Sequence, residues 1–159
     1  MASKRKEILT TLQTQLSTIS VSNGYNNDVN NVSLTFKSFE DINEYPEIVI
    51  LPAASRYAPL TNSEYTSGSA EFSTDGWAVH VFGYVQVQTN VDDENFLTKK
   101  IEDMIEDIIT LMLSDHTIGL SYVRNVYLSD VLPYADWEEN RGVAELIFEV
   151  KYDFPKTTP

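Results

Sequence analysis

Trp77-Ala78-Val79-His80-Val81-Phe82-Gly83-Tyr84-Val85-Gln86-Val87 decides the fold of this chain, because its side chains alternate and those that follow do not. Trp77, Val79, Val81, Val85 and Val87 fall on one face, His80, Tyr84 and Gln86 on the other, which is the two-residue period of a strand. From Asp92 to about Leu113 the period changes. Phe96, Leu97, Ile101, Met104, Ile105, Ile108, Ile109 and Met112 recur at helical spacing behind Asp92, Asp93 and Glu94, acids that suit the positive end of a helix dipole. Alternation returns over Tyr122 to Val131, and again through Ala144, Leu146, Phe148, Val150, Tyr152 and Phe154, with Glu145, Glu149, Lys151 and Asp153 opposite. A helix therefore docks on a largely antiparallel sheet.

Toward the N-terminus, Ile8, Leu9, Leu12, Leu16 and Ile19 form one helical stripe with Thr11, Gln13 and Gln15 opposite, which predicts a first helix from Lys4 to Ile19. Asn23-Gly24 breaks it, and Tyr25 to Asn31 is polar and turn-rich. Val32, Leu34 and Phe36 alternate as a first strand; Ile48 to Leu51, led in by Tyr45-Pro46-Glu47 and closed by Pro52, predict a buried second one. Between Pro52 and Gly76 no period is sustained, so Ser55 to Asp75 is expected to be a long loop. Leu132 to Gly142 is expected to be irregular, and 155–159 a loose tail. The expected class is α+β: a mostly antiparallel or mixed sheet packed against two helices, one domain over 1–154.

At 159 residues the chain suffices for one domain, whose folding buries roughly 68 to 70% of the unfolded surface. It has no cysteine, which excludes disulfides, thiolate metal sites and cysteine nucleophiles. Lys4, Arg5 and Lys6 precede an apolar pair cut short by Thr10, Thr11 and Gln13, not a signal peptide, and no apolar run approaches the roughly 20 residues of a membrane span. The expectation is a soluble, unexported protein whose sequon at Asn31-Val32-Ser33 has no use. A net charge of −13 argues against a surface that neutralises nucleic-acid phosphates, though acidic walls would let DNA slide past without sticking.

Catalytic types are present without catalytic patterns. Ser114, Asp115 and His116 are consecutive, and three successive side chains do not readily form a hydroxyl to imidazole to carboxylate relay; they suit the end of a helix instead. His80 lies mid-strand with no His or Cys near it in sequence. Glu102, Asp103, Glu106 and Asp107 offer oxygens to a hard cation, but Ile101, Met104, Ile105 and Ile108 define the buried stripe, which predicts a solvated acidic flank. Glycine-rich phosphate loops and a nucleophile-elbow motif are missing from the sequence. No catalytic residue, metal or cofactor is expected. Nine Tyr and two Trp shift the search to surfaces, since these types dominate binding hot spots. Arg56, Tyr57, Tyr65, Phe72, Tyr134 and Trp137, outside the periodic segments, are the candidate protein-interface residues.

The order of elements, with Pro46-Glu47-Ile48-Val49-Ile50, His80-Val81-Phe82-Gly83-Tyr84 and the closing Gly142-Val143-Ala144-Glu145-Leu146-Ile147-Phe148-Glu149-Val150-Lys151-Tyr152, resembles the tail terminator proteins of tailed bacteriophages over nearly the whole chain. The resemblance implies a virion protein of the tail and neck, made in the host cytoplasm. It implies a homo-hexameric ring that caps the tail tube, stops its polymerisation and offers a face to the neck or head-completion protein. In contractile tails the ring also meets the sheath protein, and DNA passes through its lumen unbound. Alternatives are another neck or head-tail connector component, a small acidic enzyme using His80 or His116, and a monomeric ligand-binding α+β domain.

Overall fold

Ser3 starts the first helix. Its hydroxyl accepts the Lys6 backbone N–H at 3.3 Å, an N-cap that satisfies one of the unpaired donors of the opening turn of α1 (Lys4–Leu16). The computed structural model describes residues 3–59, 71–88 and 96–155. Ile8, Leu12 and Leu16, at i, i+4 spacing, are buried; the helix stops at Leu16 and Ile19 enters the core from the turn beyond it. Gln13 and Gln15, expected on the solvent side, instead donate to the backbone carbonyls of Val32 and Ile118 at 2.9 and 3.1 Å.

Five strands form one sheet: β1 (Asn31–Ser33), β2 (Glu47–Pro59), β3 (Glu71–Gln86), β4 (Val123–Asp136) and β5 (Arg141–Pro155), in the order β1-β2-β3-β5-β4. Only the β1 to β2 pairing is parallel; the others are antiparallel, so the sheet is mixed and the fold α+β. Val79, Val81, Leu146, Phe148 and Val150 point to the face covered by α1 and by α2 (Phe96–Met112). The acids Asp92, Asp93 and Glu94 lie outside the described residues.

Two of the expected irregular stretches are strand where they are described, residues 60–70 lying outside the described residues. Ser55 to Asp75 was expected as a loop, yet β2 continues to Pro59 and β3 begins at Glu71, with Tyr57 opposite Thr74, Ala58 opposite Ser73 and Pro59 opposite Phe72. Ladder pairing is made by the backbone, so a Ser- and Ala-rich segment can pair without displaying a period. Likewise Leu132 to Asp136 belong to β4 and Arg141 and Gly142 to β5, leaving only a short turn between them. Pro133 is tolerated there because β4 is an edge strand. At the other end, the strand expected through Phe36 stops at Ser33.

Two glycines let α2 lie close to the sheet. A methyl group on Gly83 would stand 2.4 Å from Met104 Cγ and 3.0 Å from Ile108 Cδ1, and one on Gly142 would stand 2.5 Å from Ile101 Cδ1. Met104 and Ile108 are fully buried, so neither side chain has free space to swing into. Gly83→Ala is therefore expected to destabilise by about 1–3 kcal/mol through overpacking, which calorimetry would read as roughly 2–12 °C in melting temperature. An unchanged melting temperature would mean that α2 rides higher on the sheet than this.

Among the described residues, the sheet's other face is covered at one end. The segment between β1 and β2 folds over it, packing Phe39, Ile42 and Tyr45 against Val49, Phe82, Tyr84 and Val143 as a second, smaller core. Tyr84 donates its hydroxyl to the Lys37 carbonyl at 2.6 Å, and Tyr45 donates to the Phe39 carbonyl at 3.1 Å. Lys37 reaches the buried Glu47 carboxylate, 3.0 Å from Oε2, so this charge is paired where it leaves water.

Candidate interaction surface

Beside this smaller core the β4 to β5 hairpin ends in a turn, where Asn140 adopts a left-handed backbone (φ 52°) that Asn tolerates better than most residues. Arg141, the first residue of β5, fixes the base of the turn. Its Nε donates to Asp136 Oδ2 and its Nη2 to Glu40 Oε1, both at 3.0 Å, while its guanidinium lies 4.6 Å from the centre of the Phe39 ring. The Glu40 carboxyl is held below the usual range, first by its own backbone N–H and then by Arg141. Phe39 in turn meets Tyr84 edge-on at 5.5 Å and Tyr134 at 6.4 Å.

From this anchored base project Leu132, Tyr134 and Trp137, 50, 60 and 59% exposed. Large apolar side chains held on a rigid turn and left in water are the raw material of a binding hot spot. Tyr134 and Trp137 were singled out from sequence; Leu132, which shares the alternate-residue face with Tyr134, was not, although that spacing around Pro133 was the available signal. Arg56, Tyr57 and Phe72 stand on strands, the first two in β2 and Phe72 in β3 opposite Pro59. They are not brought to the turn by the pairing register. Tyr65 lies outside the described residues.

The catalytic candidates are accounted for by local structure. Ser114 donates its hydroxyl to the Leu111 carbonyl at 2.7 Å, and Asp115 Oδ1 accepts the Thr117 backbone N–H at 3.0 Å and its hydroxyl at 2.9 Å. Those two bonds, the backbone one foremost, hold the Asp115 carboxyl below its ordinary range. Each group is thus turned toward the end of α2 and not toward His116. His80 Nδ1 lies 2.7 Å from Glu145 Oε1, with the ring stacked against Phe82 on the open face of the sheet. A carboxylate on Nδ1 can orient an imidazole for base catalysis. Here the pair is a cross-strand contact, with no hydroxyl nucleophile bonded to the ring among the described residues.

The acidic set on α2 divides, contrary to expectation. Glu102, Asp103 and Glu106 are exposed, but Asp107 is only 2% exposed. Its Oδ1 accepts the Asn26 backbone N–H at 2.9 Å and Asn26 Nδ2 at 3.0 Å; its Oδ2 accepts the Asn27 backbone N–H and Asn27 Nδ2, both at 2.9 Å. Position 107 follows Met104 by three residues and precedes Leu111 by four, which puts it on the buried stripe. The carboxylate ties the polar turn after α1 to α2. Among the described residues no group of three His, Asp or Glu could hold a metal ion, and no helix is long and apolar enough to cross a membrane.

The sequence matches no family model and no curated protein. Among solved structures, the fold is similar to a chain of the "Virion of native gene transfer agent (GTA) particle", with a TM-score of 0.48 and 9% identity over 90% of this chain and 92% of that chain.

Proposed function

We propose that this protein is a virion structural protein of a tailed phage or phage-like particle, a single tail-terminator-like domain that assembles as a homo-hexameric ring on the end of the tail tube. The observation that carries the reading is the anchored hairpin end with Leu132, Tyr134 and Trp137 in water, a surface prepared for another protein. The order of strands and helices met in the tail terminator resemblance supports it as well.

The mechanism is one of shape. A ring subunit presents one face complementary to the tube end and another that does not accept a further tube subunit, so growth stops for want of a match and the neck protein finds its seat. A sheath, where the tail is contractile, would meet the same ring. With −13 charges on each copy, the lumen repels the phosphate backbone and leaves DNA free to pass. Negative-stain microscopy of isolated tail tubes mixed with the protein is expected to show added density at one end and no elongation when tube subunits are supplied. Tubes that keep growing with the protein in excess would overturn this reading.

A further inference from the structure

We infer that the end of the β4 to β5 hairpin docks on a basic segment of the tube subunit, one that sets lysine or arginine side chains beside an apolar patch. This rests on the capping reading above and names the chemistry of the partner. Leu132 and Tyr134, two residues apart on β4, project to the same face, and Trp137 stands in the turn just beyond them, each at least half exposed. The turn continues with Glu138 and Glu139, both exposed and without an ion-pair partner among the described residues. Free carboxylates therefore adjoin the exposed rings.

The acidity belongs to this hairpin and is more than the chain's average. From Val126 to Glu145, Asp130, Asp136, Glu138, Glu139 and Glu145 stand against one base, Arg141, a net charge of −4 on 20 residues where the whole chain carries −13 on 159. Arg141 does not relieve the tip, because Asp136 and Glu40 already accept its N–H groups. What stands in water there is aromatic and negative. Indole and phenol rings attract a cation to their faces, and a carboxylate beside them pulls in the same sense. Arginine and lysine also carry aliphatic stems that cover apolar surface, so one side chain meets both features.

Other occupants fit less well. A second copy docked through the same end would bring its own Glu138 and Glu139 against the first pair, which like charge opposes. Most basic side chains elsewhere in the described chain are already engaged: Lys4 lies 4.3 Å from the centre of the Tyr122 ring and Arg5 4.3 Å from that of Trp77, while Lys37 pairs with Glu47 and Arg124 with Asp153. Lys99 and Lys100 on α2 are followed by the exposed acids Glu102, Asp103 and Glu106, which repel the turn as those lysines attract it. Nucleic-acid phosphates are repelled as well. The complement is a basic surface on a different protein.

The test titrates capping of isolated tail tubes at low and at high ionic strength with the wild-type protein and two double variants. Glu138→Gln with Glu139→Gln removes the carboxylates beside Trp137; Glu102→Gln with Glu106→Gln removes two exposed ones from α2, so the change in net charge is the same. Both variants should melt with wild type, since all four side chains are exposed. Attraction between opposite charges is screened by salt, so wild-type capping should weaken as salt rises. The hairpin variant should cap about tenfold less tightly at low salt and respond less to salt, and the α2 variant should behave as wild type. Hairpin-variant capping as tight as wild type, or tighter, would overturn the inference and leave the ring reading standing. So would an equal loss in both variants, which is the signature of net charge and not of the turn. Failure of the wild-type protein to cap tubes at either salt would overturn the ring reading together with the inference.

Discussion

Asp107→Ala is expected to remove about 3–5 kcal/mol of folding stability, because it strips the shared acceptor from four N–H donors at once. At this chain length that is roughly 6–20 °C of melting temperature. The size follows from what is left behind. Two backbone and two side-chain N–H groups of Asn26 and Asn27 point at the carboxylate, and a methyl group accepts from none of them. Buried donors without acceptors cost about 1–3 kcal/mol each, less where water reaches them. Glu106→Ala, one residue away and exposed, is the control and should move stability by no more than about 0.5 kcal/mol. Equal melting temperatures for the two variants would show that the turn after α1 is not held by Asp107.

The second large effect concerns assembly. If the protein caps tail tubes as proposed, Tyr134→Ala with Trp137→Ala should leave it folded and abolish that capping. Hot-spot aromatics are worth about 2 kcal/mol or more apiece on truncation, so the pair should weaken association by roughly a thousandfold. Both rings are more than half exposed and Trp137 lies in the turn, so their removal opens no large cavity. Tyr134 does rest against Phe39, and a loss of up to about 1 kcal/mol is consistent with that contact. Thermal melting and a capping titration on the same preparation separate the two effects. Capping at the wild-type concentration would place the working surface elsewhere.

Much of the fold was legible because burial writes a period into the chain. The stripe Ile101, Met104, Ile105, Ile108 announced α2, and the alternation from Ala144 to Tyr152 announced β5, since each faces the core on one side only. Charge groups Asp107 with Glu106, while its spacing to Met104 and Leu111 is that of the buried face. Residues 55–59 and 71–75 hide their strands for a different reason. Their pairing is a backbone property, and Ser, Ala and Thr side chains do not mark which face is inside. At the candidate surface, Tyr134 and Trp137 stood out by residue type, but nothing local announced that Arg141, Glu40 and Phe39, distant in sequence, would brace the turn beneath them.

The position of β5 bears on how the chain is made. Although last in sequence among the strands, it lies between β3 and β4 in space. During synthesis β4 emerges with no neighbour to pair with, and the inner half of the sheet stays open until Arg141 to Pro155 clear the ribosome. A product that stops short of β5 therefore lacks the strand that joins β4 to the rest, and leaves the apolar side chains of β4 without the sheet they pack on.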